Sequence, residues 1–362
     1  MMPLIGSNPL ALEAMSGSAK GDPGVAKPAR STRNVTLVDV ARYAGVSTAV
    51  VSYVVNDGPR PVAPATADRV RNAISVLGYR PNSHARALIS GKTGILGLIH
   101  PGTSNPFFGE YSDVIYEVAT RNSVALLNAN SAGNADTERQ LIESLARRSV
   151  DGILVVTSMS QSDIPDLLDP GIPMLFVDCP FPIPGHRAIG PNSIAGARLA
   201  VEHLIVEHGH REIAFIAGAA EPEEREQGWR DGLRAHGLPA AQLVRTNYGL
   251  DGGYAGARTL VTGPDRPGAI FVASDLQAYG ALHAIHEQGL QIPQDIAVVS
   301  FDGNTESAHT WPPLTIVRQP LVAMADAAIT DILRSSPPKH DLFDMELIVR
   351  QSCGCQPAEN PS

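Results

Sequence analysis

The stretch Thr36-Leu37-Val38-Asp39-Val40-Ala41-Arg42-Tyr43-Ala44-Gly45-Val46-Ser47, continued by Thr48-Ala49-Val50-Val51-Ser52-Tyr53-Val54-Val55-Asn56, decides how this chain is read. Leu37, Val40, Ala41 and Ala44 recur at the spacing of one helix face, and Thr36 stands where an N-cap belongs. Gly45-Val46 breaks that helix, and Ser47 caps a second one running to about Val55. Asn56-Asp57-Gly58 closes it and the Pro-rich residues 59–64 form a loop. A third helix over about 65–77 carries Val70, Ala73, Ile74 and Leu77 on one face, and Gly78 ends it. Two short helices joined by a glycine turn, then a third, predict a helix-turn-helix bundle. The second helix of such a bundle enters the major groove of DNA with its N-terminal residues at base edges. Here those residues are Ser47, Thr48 and Ala49, then Ser52 and Tyr53. Thr48 can reach bases or phosphates, and Ala49 offers a methyl contact to thymine. Val51, Val54 and Val55 are needed as the bundle's own core.

Beyond Thr93 the pattern alternates strand and helix. Apolar runs at 95–99, 124–127, 153–156, 174–177, 213–216, 269–273 and 296–301 read as buried parallel strands. Helical patterns lie between most of them, at 107–120, 137–147, 194–207, 224–236, 252–261 and 276–288. This predicts an α/β body of two doubly wound parallel sheets, with a crevice at the carboxyl ends of the strands, where ligands bind in open sheets.

The chain's 362 residues carry a formal charge of -9, which taken as an average argues against nucleic acid. The charge is uneven, however. Residues 1–34 hold +2, residues 35–93 hold +4, and residues 94–362 hold -15. A small basic head on an acidic body limits where DNA would be touched rather than excluding it. No stretch reaches the ~18–20 apolar residues of a membrane span, so no membrane partner is expected. Residues 1–34, rich in Gly, Pro, Ala and Ser, read as a disordered arm; with no basic n-region and an apolar part cut short by Glu13, they are not a secretory signal. Cys179, Cys353 and Cys355 are too few for a disulfide framework and favour a reducing, cytoplasmic location.

Catalytic signatures are missing. There is no G-x-S-x-G elbow and no phosphate loop, and Gly252-Gly253-Tyr254-Ala255-Gly256 does not fit a dinucleotide fingerprint. His203 and His208 stand five apart rather than four, without an H-E-x-x-H motif, so they and His210 read as helix-end and turn residues. Cys353-Gly354-Cys355 has no other cysteine near it in sequence. Neither enzyme activity nor a metal or cofactor is expected.

The head sequence quoted above, with Gly78-Tyr79-Arg80-Pro81-Asn82, closely resembles the lac repressor (LacI-type) family of bacterial regulators. The resemblance continues in order through Ser104-Asn105-Pro106-Phe107-Phe108, Arg148-Ser149-Val150-Asp151-Gly152-Ile153, Gly209-His210-Arg211-Glu212-Ile213, Ser274-Asp275-Leu276, Ser300-Phe301-Asp302 and Pro313-Leu314-Thr315-Ile316-Val317-Arg318-Gln319-Pro320. It implies a head over 35–80, a hinge over 81–93, a two-lobed periplasmic-binding-protein-like body over 94–355 and a tail over 356–362. The first lobe would comprise about 94–190 and 317–335, the second about 191–316 and 344–355. It implies DNA contacts by Thr36, Ser47, Thr48, Ala49, Ser52, Tyr53, Asn56, Tyr79, Asn82, Arg86 and Leu88. Residues 82–88 resemble the family's hinge helix, in which Leu88 would wedge between base steps from the minor groove. Tyr53 stands where many members carry an arginine that forks onto guanine, so a different operator base is expected there. The pocket positions correspond to Asn105, Phe108, Asp178, Arg225, Tyr248, Asp275 and Asp302. Carboxylates, a guanidinium and aromatic rings suit a sugar or polyol. Asp275 is also a natural N-cap. The resemblance thus implies a homodimeric repressor on a palindromic operator, controlled by a small, carbohydrate-like effector. An exported sugar-binding protein shares the body but needs a leader and no DNA head.

Overall fold

Thr36 opens the first helix of the head through a reciprocal cap. Its hydroxyl accepts from the Asp39 amide at 3.4 Å, while the Asp39 carboxylate accepts from the Thr36 amide at 2.9 Å. Helix α1 (Leu37–Ala44) ends at Gly45, whose φ of +65° lies in the left-handed region that a side chain disfavours. The Ser47 hydroxyl then accepts from the Val50 amide at 3.3 Å and starts α2 (Thr48–Val55). Helix α3 (Pro64–Leu77) begins at a proline whose fixed φ suits a first turn, and ends at Gly78. Val40, Ala41, Ala44, Val51, Val70 and Ala73 form the buried core, with Val54, Val55, Ile74 and Leu77 packed against it. The computed structural model describes residues 35–55, 60–80, 91–159, 164, 171–218 and 223–356. The expected arm, hinge helix and last residues of the tail lie outside them. Contacts divide the chain into two units, one up to Asn82 and one beyond it.

The body holds two six-stranded sheets. In the first run β1 (Ile95–His100), β2 (Ala125–Asn130), β3 (Gly152–Val155), β4 (Met174–Val177), β5 (Arg187–Pro191) and a late strand, β11 (His340–Phe343), in the spatial order 11-5-4-3-1-2. The second contains β6 (Ile213–Ala217), β7 (Leu243–Arg245), β8 (Ala269–Val272), β9 (Ala297–Asp302), β10 (Thr315–Arg318) and β12 (Glu346–Ile348), in the order 12-10-9-8-6-7. Among the described residues all pairings are parallel except β10 with β12. Helices α4 (Pro106–Arg121), α5 (Ala135–Arg147), α6 (Ser193–Val206), α7 (Glu224–Ala235), α8 (Leu250–Thr262), α9 (Asp275–Glu287) and α10 (Leu321–Arg334) cover the faces. Each sheet is buried on both sides, which is why its central strands read as continuous apolar runs.

The lobe boundaries differ from those expected. Residues 317–318 belong to β10 of the second sheet, not to the first lobe, and 340–343 return to the first sheet as β11. Edge strands β7, β11 and β12, and β5 beside β11, carry too few apolar residues to show a pattern. Lobe membership of a late strand is set by pairing, which local sequence does not encode. The chain therefore passes between lobes three times, after Pro191, after Arg318 and after Phe343. Two of these passages are tied where Asn192 Nδ2 donates to Asp344 Oδ1 at 3.1 Å.

One quoted motif has a structural reason. The Asp151 carboxylate accepts from the amides of Thr93 and Gly94 at 2.7 and 2.8 Å, fastening the chain as it enters β1.

Candidate functional site

On the head, the residues expected at DNA divide by burial. Thr48 and Ala49 are exposed at the start of α2; Ser52 and Tyr53, one turn on, are half-buried, and Val51 points into the core. Thr36 and Ser47 are committed to capping, so their side chains hold the two helices in register whatever else they touch. Tyr79 packs partly against the head core. Asn56, Asn82, Arg86 and Leu88 lie outside the described residues.

In the body, the expected pocket residues gather at the carboxyl ends of the parallel strands. Arg225, in the first turn of α7, donates to the Ala273 carbonyl at 2.9 Å. Its guanidinium lies 3.8 Å from carboxylate oxygens of both Glu223 and Asp302. It sits 4.5 Å over the Phe301 ring and 5.5 Å from that of Tyr248. The Tyr248 hydroxyl donates to Glu223 Oε2, and the other oxygen of Glu223 accepts from the Gly218 amide at 3.2 Å. A side chain at Gly218 would collide with the Tyr248 ring, so glycine is what lets the ring lie there. Burial opposes the Arg225 charge, but Tyr248, Glu223, Asp302 and Asp178 more than offset it and push its pKa up.

Asp178 follows β4 with φ +53°, and Asp302 ends β9 with φ +110°. A non-glycine residue at either angle is strained, and such strain concentrates at working sites. Burial pushes Asp178 up to about 7 against the pull of Arg225, with Asp302 adding to the rise. Burial likewise raises Asp302 to about 6, again opposed by Arg225. Gln319, on the second passage between lobes, donates to Asp302 Oδ1 at 3.2 Å and also eases the charge on Asp178. First-lobe Asp178 and second-lobe Arg225 and Asp302 thus share one electrostatic cluster. The buried Gln319 Oε1 and Tyr111 hydroxyl have no hydrogen-bond partner within the protein. Glu110 Oε1 accepts from the Thr305 amide at 2.7 Å, a second link between lobes.

Asp275 has a different position from the rest. Ser274, not Asp275, caps α9, accepting from the Gln277 amide at 3.2 Å. Wholly buried, Asp275 accepts from the Ser300 hydroxyl and from the amides of Gly303 and Asn304, at 2.9 and 2.6 Å for the two amides. Burial and the charge of Asp302 raise it to about 8, while those three donors oppose the rise. Its oxygens are occupied inside the second lobe. In the first lobe, Asn105 caps α4 by accepting from the Phe107 amide at 3.1 Å. Phe107 is core, and half-buried Phe108 meets it edge-on at 5.2 Å.

Sequence reading missed Glu223 and Gln319. Gln319 stood inside a quoted motif; the one signal for Glu223 is its place two residues before Arg225. A cavity of about 640 Å³ lined by Leu282, His286, Ile292, Trp311 and Cys355 has no part in this cluster.

Comparison with known proteins bears on both units. Residues 36–82 match the family model "Bacterial regulatory proteins, lacI family", and residues 201–353 match "Periplasmic binding protein-like domain". The chain is 34% identical over 305 residues to catabolite control protein A of Priestia megaterium, covering 82% of this chain and 91% of that one. It is 33% identical over 330 residues to the repressor PurR of Vibrio vulnificus, covering 88% and 98%. The chain belongs to the LacI family. The fold of this LacI-family regulator matches a lac repressor dimer bound to operator and the anti-inducer ONPF, with a TM-score of 0.79 at 26% identity, covering 89% of this chain and 99% of that one. A sequence-specific DNA-binding transcriptional regulator is what these findings establish, and its relatives are regulators rather than enzymes. The DNA head disfavours the exported sugar-binding alternative. Among the described residues, no helix of the regulator is long and apolar enough to cross a membrane.

Proposed function

We propose that the regulator is a cytoplasmic, homodimeric repressor whose affinity for a palindromic operator is set by a sugar or related polyol held between the two lobes. The carrying observation is the cluster in which Arg225 is surrounded by Glu223, Asp302, Asp178 and Tyr248. Its carboxyls outnumber its single cation. Such a site is rich in acceptors, which suits a ligand with many hydroxyl donors and repels an anion. Tyr248 and Phe108 offer rings to the apolar face of a pyranose, and the unpartnered Gln319 Oε1 and Tyr111 hydroxyl gain partners from a polar guest. Relatives named for ribose operon repression and a solved complex titled CelR–cellobiose agree with this class. In this reading Asp275 shapes the pocket wall, holding the loop after Asp302, rather than touching effector.

The effector acts by binding one closure state of the lobes better than the other, which the hinge passes to the heads. Thr48, Ala49, Ser52 and Tyr53 read the major groove; Asn56, Tyr79, Asn82 and Arg86 add contacts, and Leu88 wedges the minor groove. A thermal-shift screen of the full chain with a carbohydrate and nucleobase panel tests the effector class, because a ligand specific for the folded state stabilises with its occupancy. A specific shift with a sugar is expected; a shift with nucleobases alone overturns the class. Leu88→Ala should lose most specific operator affinity while keeping effector binding, and unchanged operator affinity would remove the hinge wedge.

A further inference from the structure

Two sequence fragments that look inert apart are brought together by the fold. Cys353-Gly354-Cys355 follows β12, which pairs antiparallel with β10 and carries the chain back from the crevice to the amino-terminal end of the second sheet. His203 and His208 flank the end of α6, just before β6 begins at that same end. The ligand atoms of His203, His208, Cys353 and Cys355 all lie within 4.8 Å of one another. His203 Nε2 is 3.3 Å from Cys353 Sγ and 3.7 Å from Cys355 Sγ, and His208 Nε2 is 3.3 Å from Cys355 Sγ.

Those separations can be compared with a tetrahedral ion. Bonds of ~2.3 Å to sulfur and ~2.0–2.1 Å to nitrogen put neighbouring ligand atoms about 3.3–3.8 Å apart. The three nitrogen–sulfur pairs fall in that range, and all the ligand atoms lie within 4.8 Å of one another. The rings of His203 and His208 stand edge to face at 5.0 Å, which leaves their nitrogens converging rather than stacked. Glycine at 354 suits the φ of +110°, and a Cβ there would press on the His208 ring at 3.0 Å. The Thr315 hydroxyl points at Cys353 Sγ from 3.2 Å, the outer-shell donor a thiolate ligand calls for. Cys353 also donates to the Arg350 carbonyl at 3.3 Å, and its thiol proton is the one a metal would displace.

We propose that His203, His208, Cys353 and Cys355 form a structural zinc(II) site that clamps the turn after β12 to the end of α6. Four protein ligands of mixed sulfur and nitrogen are the set of closed structural zinc sites, which keep no position open for chemistry. Cys353 is buried while Cys355 and both histidines are only half-buried, so the ion can enter from the surface. The site stands across the sheet from the effector crevice and is independent of it. Its work is to close a long loop and hold β12, and with it the second sheet's edge, in place.

The test uses full-length protein purified under reductant without chelator. Metal analysis should find one zinc per chain. Replacement by cobalt(II) should give thiolate-to-metal charge transfer in the near ultraviolet and the intense visible bands of tetrahedral cobalt. Cys355→Ser and His208→Gln, both at half-buried positions, should each weaken zinc retention at least about a hundred-fold. Circular dichroism and operator binding report that both variants remain folded. Chelation should lower the thermal midpoint of the wild type but not of these variants. Substoichiometric zinc with no cobalt spectrum would overturn the site, as would variants that retain metal like the wild type. A Cys353–Cys355 disulfide that, once reduced, still takes up no cobalt would overturn it too.

Discussion

The two lobes of the body share one architecture and divide its chemistry unequally. Each is a six-stranded sheet with the same winding, five strands in equivalent order and a sixth contributed late by the chain. At the crevice the first lobe offers Asn105, already spent capping α4, together with Phe108 and the strained Asp178. The second offers Arg225, Glu223, Tyr248 and Asp302, prearranged by contacts with one another. Topology therefore says where a ligand sits, whereas the side chains say which half grips it. The second lobe is the gripping half in our proposal and the first the closing half.

Arg225→Ala carries the largest expected effect. It leaves Asp302 and Glu223 without their cation, at a cost to folding stability of about 3–5 kcal/mol for a broken buried pair, and it removes the guanidinium from the effector's reach. Effector affinity measured by calorimetry should fall several hundred-fold, while operator affinity without effector stays as in the wild type. A first-lobe change such as Phe108→Ala should cost far less; equal losses would erase the division between gripping and closing halves.

Asp275→Ala probes the second lobe from inside. The buried Asn304 amide, the half-buried Gly303 amide and the Ser300 hydroxyl lose their acceptor, at about 1–3 kcal/mol for each buried group before relaxation. The midpoint of denaturant unfolding should drop, and effector affinity should fall less than in Arg225→Ala. The reverse order would put Asp275 on the ligand.

A smaller effect comes from pH. Asp178 and Asp302 titrate near 7 and 6 when folded, both above the ordinary carboxyl value of about 3.9. Between these values the folded state holds protons that the unfolded state has lost, so their contribution makes stability fall as pH rises. The body's thermal midpoint should therefore decline from pH 5.5 to 8. Asp302→Asn should flatten that slope, since it removes one carboxyl and the charge pressing on Asp178. A slope unchanged in this variant would remove the coupling.

Smallest is Asn105→Ala, which deletes the α4 cap and should cost about 1 kcal/mol of first-lobe stability. A large loss of effector affinity from it would move gripping into the first lobe.

The head and the central strands were legible in the sequence because their signals are local. Thr36, Gly45, Ser47 and Gly78 act within a turn of themselves, and strands buried on both faces are apolar throughout. Arg225, Tyr248 and Asp302 could be placed only through family resemblance, since nothing in their neighbourhoods says they meet. Lobe membership of 317–318 and 340–343 was not legible, because pairing with distant strands decides it. The same holds for His203 and Cys353, each unremarkable until an antiparallel strand closes the distance between them. Asp275 is ambiguous in sequence because a carboxylate opening a helix serves equally as cap, ligand or internal brace, and its three donors are what favour the brace in our proposal.

The most direct measurement is operator affinity, by fluorescence anisotropy on a selected palindromic fragment, for wild type and Arg225→Ala with and without the sugar that most stabilises the body. The expected result is at least a ten-fold change with sugar in the wild type and none in the variant, with equal affinities when no sugar is present. An Arg225→Ala protein that responds to the sugar as the wild type does would contradict a crevice built around that guanidinium.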